Sequence, residues 1–395
     1  MRLVLVAVSA NSQLSGVTRH AATLARCLLM HSDVEAVHAI AAPWEHQLLR
    51  DAIAMEDPRL HIHCVHVDRS SLARNLWYYF DLPSIAQQLR ADVVQLSHPA
   101  PLNRGKLRCP AVVTVHDLYP WDIPENFGFP KVHFNRFALR RCLTAANSIA
   151  CVSRSTLSRL ENLYPEIAST KSLIIYNSVE LPQRQLSEIS CPTWGDQPFL
   201  LCVSQHRRNK NIALALRVFE LLLRTGRIAP RTRLVVVGIP GPETSTLEQL
   251  VASAHLGQNV IFLNGISDAL LQWCYRKCLV LLAPSTIEGF GLPVAEALQA
   301  GCPIVCSDIP AFRELGGSDC HYVSLGPNEV EAFADAVCTA ADQESREPLP
   351  MPQLSGEVVA AQYMQLYSSL LSAPGVKAHS QETPFLSPPE RHFRI

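Results

Sequence analysis

Short apolar runs recur along the chain, each followed by a longer stretch whose apolar positions repeat every three or four residues. The first kind predicts a strand and the second a helix with one buried face. In the first half, strands are predicted at Leu3–Val8, Ala36–Ile40, His61–Val67, Val93–Leu96, Ala111–Val115, Ser148–Val152 and Ser172–Tyr176. Helices are predicted at Gly16–Met30, Leu72–Leu89, Val132–Ala145 and Ser155–Leu163. The rhythm breaks over Leu181–Pro198, where three prolines and several polar residues mark a linker. It then restarts, with strands near Phe199–Val203, Leu234–Val237, Val260–Leu263, Leu279–Ala283 and Ile304–Cys306. The matching helices fall near Asn211–Arg224, Thr246–Ala254, Asp268–Arg276, Val294–Ala300 and Glu329–Ala341.

Strands that alternate with helices imply an α/β protein with parallel sheets covered on both faces. Two such halves give two Rossmann-like domains facing a central cleft, with ligands at the carboxyl ends of the strands. The expected division is residues 1–182, a linker over 183–197, and a second domain over 198–357. A last helix over 358–371, carrying Met364, Leu366, Leu370 and Leu371, is expected to pack back on the first domain. The tail, 372–395, is rich in proline, serine and charge and is expected to be disordered.

Composition narrows the picture. The chain has 395 residues, 48% hydrophobic and 17% charged, which suits well-packed globular domains. A net charge of −1 lacks the basic excess of a nucleic-acid binder, so no nucleic-acid partner is expected. The 13 cysteines are odd in number and scattered, and many sit in apolar runs, as reduced cysteines do in the cytoplasm. The apolar N-terminus, Arg2 to Ala10, reads as a first strand rather than a signal peptide. No run approaches the length of a membrane span, so a soluble or at most peripheral protein is expected.

The most informative segment runs from Pro284 to Leu298. The apolar run Cys278–Ala283 leads into a loop bearing Glu288, Gly289, Phe290 and Gly291, and then Leu292 and Pro293 open a helix that carries Glu296. Proline suits a first helical turn, where its missing N–H costs nothing. Gly289 and Gly291 allow backbone N–H groups close to a ligand, and a helix N-terminus favours negative charge. Two carboxylates beside an anion-binding loop fit a ligand with both hydroxyls and phosphates, such as a sugar nucleotide.

A second segment places Arg207, Arg208 and Lys210 directly after the strand Phe199–Val203. A basic run is most often a solvated face, but at a strand's carboxyl end before a helix it makes a pyrophosphate clamp. The loop Ser15-Gly16-Val17-Thr18-Arg19-His20 follows the first strand, and Gly16 leaves room for a ligand. It is not the GxGxxG fingerprint of nicotinamide enzymes. His116 stands at the carboxyl end of the strand Ala111–Val115, facing the expected cleft. His61 and His63 alternate onto one strand face, and Cys64 and His66 onto the other, which disfavours a common metal site.

These motifs, in this order, resemble the retaining glycosyltransferases of the GT4 family, which have the GT-B fold. Glu288-Gly289-Phe290-Gly291-Leu292-Pro293 with Glu296 matches the family's E-x7-E signature. Lys210-Asn211, the Ser15–His20 loop, His116-Asp117, Val152-Ser153, Tyr176-Asn177 and Asp308-Ile309-Pro310 with Glu314 fall in the family's sequence order. The likeness extends from Met1 to Leu371. One departure is Ser204-Gln205, where many relatives have Gly-Arg or Gly-Thr, and this leaves open whether Arg207 or Arg208 meets the diphosphate.

The resemblance implies hexosyl transfer from a nucleoside-diphosphate sugar to a hydroxyl, with retention, in polysaccharide or lipid-linked glycan synthesis. It implies His116, Glu288 and Lys210 as catalytic residues. It further implies donor contacts from Gly16, Arg207, Arg208, Lys210, Glu288, Gly289, Phe290, Gly291, Leu292 and Glu296, with Glu296 on the ribose. No metal or other cofactor is expected, because the cations stabilise the departing diphosphate. A front-face path is expected, in which that diphosphate takes the acceptor proton, with double displacement as the alternative. The rival functions are a phosphorylase or sucrose-synthase-like GT-B enzyme and a non-catalytic sugar-nucleotide binder. A cytoplasmic protein is expected, with peripheral contact at the inner face of a membrane as a further expectation. Its candidate is the basic stretch Lys131, His133, Arg136, Arg140 and Arg141, which otherwise reads as a solvated helix face.

Overall fold

The computed structural model describes residues 1–10, 13, 15–179, 192, 194–342 and 347–372. Most of the expected linker over 183–197, and the tail over 372–395 apart from Ser372, lie outside the described residues.

Seven parallel strands form the first sheet: β1 (Arg2–Val6), β2 (Ala36–Ala41), β3 (Leu60–Cys64), β4 (Val93–Leu96), β5 (Ala111–Val115), β6 (Ser148–Cys151) and β7 (Ser172–Ile174). Their order is β3-β2-β1-β4-β5-β6-β7. Six more form the second: β8 (Phe199–Val203), β9 (Arg233–Val237), β10 (Val260–Leu263), β11 (Val280–Ala283), β12 (Ile304–Ser307) and β13 (His321–Val323). Their order, β10-β9-β8-β11-β12-β13, repeats the same winding. In each sheet the order reverses beside the first strand, and that is where an open α/β sheet leaves a crevice for ligands.

Helices α1 (Gly16–Leu29), α2 (Pro43–Ile53), α3 (Ser71–Phe80), α4 (Leu82–Gln88), α5 (Tyr119–Asp122), α6 (Lys131–Ala145), α7 (Arg154–Leu163) and α8 (Pro165–Lys171) belong to the first half. Helices α9 (Ile212–Arg224), α10 (Thr244–Ser253), α11 (Asp268–Lys277), α12 (Leu292–Ala300), α13 (Pro310–Gly316), α14 (Glu329–Ala341) and α15 (Gly356–Ser372) follow. The single helix expected over Leu72–Leu89 is two, because the chain turns at Asp81 and restarts with Pro83 in the first turn.

The central strands are apolar on both faces because each face is covered. In β1, Leu3 and Leu5 join the core under α1, α2 and α15, whereas Val4 and Val6 join the core under α3, α4 and α6. β8 divides in the same way, Phe199 and Leu201 to one side and Leu200 and Cys202 to the other. α15 returns to the first sheet: Tyr363 and Tyr367 are buried there, and their hydroxyls reach Thr114 Oγ1 (3.1 Å) and Gln95 Oε1 (2.9 Å). Among the described residues the cysteines are unbridged and mostly buried. His61 and His63 lie on one face of β3, against His38 of β2.

Candidate active site

A cleft of about 650 Å³ opens between the two halves, lined from both. Its second-half wall is built by the strand–loop–helix unit from β11 to α12. The buried strand leads through Ser285 to Glu288, which lines the cleft. Gly291 then adopts φ 103°, a left-handed conformation that a side chain would resist, and starts α12 with Pro293 in its first turn. Glu296, one turn on, accepts a hydrogen bond from Tyr275 Oη at 2.7 Å. Burial raises the Glu296 pKa above its usual value, and the bond from Tyr275 and the charge of Arg19 oppose that rise.

The loop after β8 supplies the cations. Lys210 Nζ lies 2.6 Å from both oxygens of Glu288, and Ser285 Oγ donates to one of them at 2.8 Å. The side chain expected to meet the diphosphate and the one expected to meet the sugar are thus paired with each other. Arg207 lines the cleft, but Arg208 does not. Arg207 is the last extended residue (φ −121°, ψ 151°), and Arg208 begins a short 3-10 turn over Arg208–Lys210 that carries its side chain to solvent. The sequence left open which of the two arginines meets the diphosphate; of the two, the backbone turn brings only Arg207 to the cleft.

From the first half come Gly16, Arg19, His116, Asp117 and Tyr119. Ser15 caps α1 by accepting the Thr18 N–H, so the helix starts beside the cleft. No atom lies within 4 Å of where a Cβ on Gly16 would sit, and the packing therefore does not demand glycine there. The open space belongs to the cleft. His116 Nε2 lies 2.9 Å from the carbonyl oxygen of Ser97, which can only accept, so that nitrogen carries the proton. Burial pulls the His116 pKa down to about 4, leaving a neutral ring at pH 7.

Asp117 is pushed the other way. Burial raises its carboxyl from the usual 3.8 to about 6, against the Tyr119 N–H and the charges of Lys210 and Arg207. An unfolded chain releases this proton near pH 4, so the folded chain binds it more tightly between those values. Asp117 thus favours folding most below about pH 4, and the benefit is lost as pH rises through about 6. Asp117→Asn is expected to be more stable than the parent by about 3 kcal/mol at pH 7, the gap narrowing toward pH 4. Urea unfolding across that range checks it, and a variant less stable than the parent at pH 7 rejects it.

Several bonds hold the two halves together around the cleft. The Gly289 carbonyl accepts from Ser153 Oγ (2.5 Å) and Thr156 Oγ1 (3.0 Å) of the first half. The Glu314 carboxylate accepts the Arg154 and Ser155 N–H groups at the start of α7 (2.7 and 3.0 Å), where a helix N-terminus favours an anion. Arg19 pairs with Asp268 at 2.8 Å, and Asn209 donates to Tyr119 Oη at 3.2 Å. Asp268 and Tyr275 are cleft-lining residues that the motifs did not indicate. A signal was present: Asp268, Leu271, Gln272 and Tyr275 are spaced to share one face of α11, and all four line the cleft.

Comparison with known proteins agrees with this architecture. The sequence profile described as Glycosyltransferase Family 4 matches residues 14–183, and that of Glycosyl transferases group 1 matches residues 191–349. The chain belongs to the GT4-type glycosyltransferases. Curated relatives of this GT4 member include the O-antigen chain mannosyltransferase RfbU of Salmonella typhimurium, 28% identical over 61% of the chain. Another is O-antigen chain mannosyltransferase B of Escherichia coli, 30% identical over 60% of the chain. The matched stretch spans 62% of the length of each. Among solved structures, Anabaena HepE in complex with UDP and glucose superposes with a TM-score of 0.65 at 16% identity, covering 94% of this chain and all of that one. WaaG, a glycosyltransferase involved in lipopolysaccharide biosynthesis, gives 0.65 at 18% identity over 95% of this chain and 100% of its own. At those identities the likeness is one of fold, and the fold is GT-B: two parallel-sheet α/β domains.

Proposed function

We propose that this GT4 member transfers a hexosyl unit, with retention, from a nucleoside-diphosphate sugar to a hydroxyl of a glycan or lipid-linked acceptor in polysaccharide synthesis. The names of its relatives make mannosyl the first sugar to test. The observation that carries the reading is the Lys210–Glu288 pair, flanked by Arg207 and Glu296, in a cleft lined by both halves. Glu296 and Tyr275 suit the ribose hydroxyls at one end. Lys210, Arg207 and the backbone of Gly291 and Leu292 suit the diphosphate, and Glu288 with the Gly289–Phe290 backbone suits the sugar.

In the reaction, the bond from the anomeric carbon to the diphosphate oxygen breaks. A bond from the same carbon to the acceptor oxygen forms on the same face, and the acceptor proton passes to the departing diphosphate. Lys210 and Arg207 stabilise the charge that develops there. Both oxygens of Glu288 are already engaged by Lys210, and one also by Ser285, which makes this carboxylate a poor nucleophile and favours the front-face path over double displacement. His116, neutral and with its proton held by Ser97, suits a contact through its other nitrogen or its ring, not proton donation to the sugar. No metal is needed in this scheme, and the reading places the chain in the cytoplasm at the inner face of a membrane.

A thermal-shift panel of GDP-mannose, UDP-glucose, UDP-N-acetylglucosamine and the free nucleoside diphosphates tests it. A ligand at about a hundred times its Kd stabilises the folded state by about 2.7 kcal/mol. One nucleotide series is expected to raise the Tm, and the same donor is expected to label an acceptor with retained anomeric configuration. A panel without any shift rejects the reading.

A further inference from the structure

Helices α3 and α6 cover the same face of the first sheet, their inner residues Trp77, Tyr78, Leu139, Cys142 and Leu143 sharing one core. Their outer faces are unusual. On α3, Leu72, Leu76, Tyr79 and Phe80 fall at i, i+4, i+7 and i+8 and are all exposed, Leu72 by 65%. That spacing is a single helical stripe, which a water-facing helix would fill with polar residues. On α6, Phe134 (53%) and Phe137 (62%) share the outer face with Arg140 and Arg141, and Phe129, 85% exposed, stands just before the helix. Scattered exposed apolar residues need no explanation, but clustered ones mark a partner.

The charge around them selects the partner. Neither α3 nor α6 contains an acidic residue, although Asp81 follows α3 directly. Lys131, Arg140 and Arg141 lie beside the phenylalanines, and the Lys106 ammonium stands 5.7 Å over the Phe80 ring. Aromatic and aliphatic side chains interleaved with cations on one helix face are the composition of an interfacial helix on anionic lipid. A second copy of this chain fits poorly, because it would bring like charges together.

α6 is also tied to the cleft. Arg136 donates through Nε to the Pro120 carbonyl at 2.8 Å and lies 4.2 Å from the Trp121 ring, within the segment whose Tyr119 lines the cleft. We propose that the outer layer of α3 and α6 docks on an anionic lipid bilayer. Phe129, Phe134 and Phe137 enter the boundary between headgroups and acyl chains, and Arg140 and Arg141 meet lipid phosphates. The docking stands on this surface alone; that it presents a lipid-linked acceptor to the cleft rests on the transferase reading.

Co-sedimentation of the full chain with phosphatidylcholine vesicles, with and without phosphatidylglycerol, tests the docking. The parent is expected to pellet only with the anionic vesicles, and less so as salt is raised. Phe134→Ser with Phe137→Ser, and separately Arg140→Glu with Arg141→Glu, are each expected to lower the partition coefficient more than about tenfold. Each pair should keep the parent's Tm and any nucleotide-induced shift. A parent that stays in the supernatant at low salt, or variants that pellet like it, overturns the proposal. So does a dimer in light scattering that the phenylalanine pair converts to monomer. A missing nucleotide shift with intact vesicle binding would count against the transferase reading and not against the docking.

Discussion

Gly289→Ala is expected to lower the turnover of sugar transfer by about a hundredfold or more while leaving nucleotide binding nearly intact. A Cβ at Gly289 falls inside the van der Waals radius of the His116 carbonyl oxygen and presses on the His116 carbonyl carbon. The obstacle is backbone of the other half, so no side-chain rotation relieves it. The Gly289 carbonyl is meanwhile held by Ser153 and Thr156, also from the first half. The added methyl can be accommodated only by drawing the halves apart and stretching those bonds.

A separation of about 1 Å is enough to cost about a hundredfold where reacting groups must be aligned. The nucleotide contacts proposed for Glu296, Tyr275, Lys210 and Arg207 all lie in the second half and move together. The expected signature is therefore a fall in kcat with a Kd for nucleoside diphosphate within about threefold of the parent. Gly16→Ala is the control for folding, because its Cβ meets nothing within 4 Å. It should fold like the parent and weaken nucleotide binding if the diphosphate occupies that space. Steady-state kinetics with calorimetric Kd values checks both, and a Gly289→Ala enzyme with parental kcat would disprove the closed-cleft account.

The central strands were readable because they are buried on both faces. A continuous apolar run such as Ala111–Val115 leaves few alternatives, and its observed limits are those expected. β13 was missed because His321–Val323 is only three residues, at a sheet edge and partly exposed. The missed helices α2, α5, α8 and α13 share one property: each carries proline in its first turn, at Pro43, Pro120, Pro165 and Pro310. Proline at a first turn starts a helix without lengthening the apolar periodicity by which helices are recognised, and α5, α8 and α13 are short.

The site divides along similar lines. That Glu288, Glu296 and Lys210 line one cleft was legible because each follows a buried strand within a local motif. The pairing of Arg19 with Asp268 joins residues 249 positions apart, and no local pattern contains it. The choice between Arg207 and Arg208 depended on where one turn begins, which adjacent identical residues cannot reveal.

Glu288→Gln is expected to have opposite effects on two measurements, lowering sugar transfer about a thousandfold and tightening nucleoside diphosphate binding about tenfold. Lys210 is hydrogen-bonded to both carboxylate oxygens, with only 19% of its side chain and 9% of that of Glu288 exposed. A diphosphate must therefore compete with Glu288 for the ammonium. Glutamine keeps the shape and can still accept from Ser285, but it has no charge to hold Lys210, and it removes a repulsive neighbour of the phosphates. The freed cation binds the diphosphate more tightly. The sugar loses the charge-assisted hydrogen bonds that a carboxylate gives its hydroxyls and the alignment that depends on them. Lys210→Ala should behave differently: transfer falls by about a thousandfold, diphosphate binding weakens, and stability drops by about 3 kcal/mol because Glu288 keeps only Ser285. Titration calorimetry with nucleoside diphosphate separates the two variants. If Glu288→Gln weakens diphosphate binding as Lys210→Ala does, the two residues act as one structural pair, and the division of donor contacts between them is wrong.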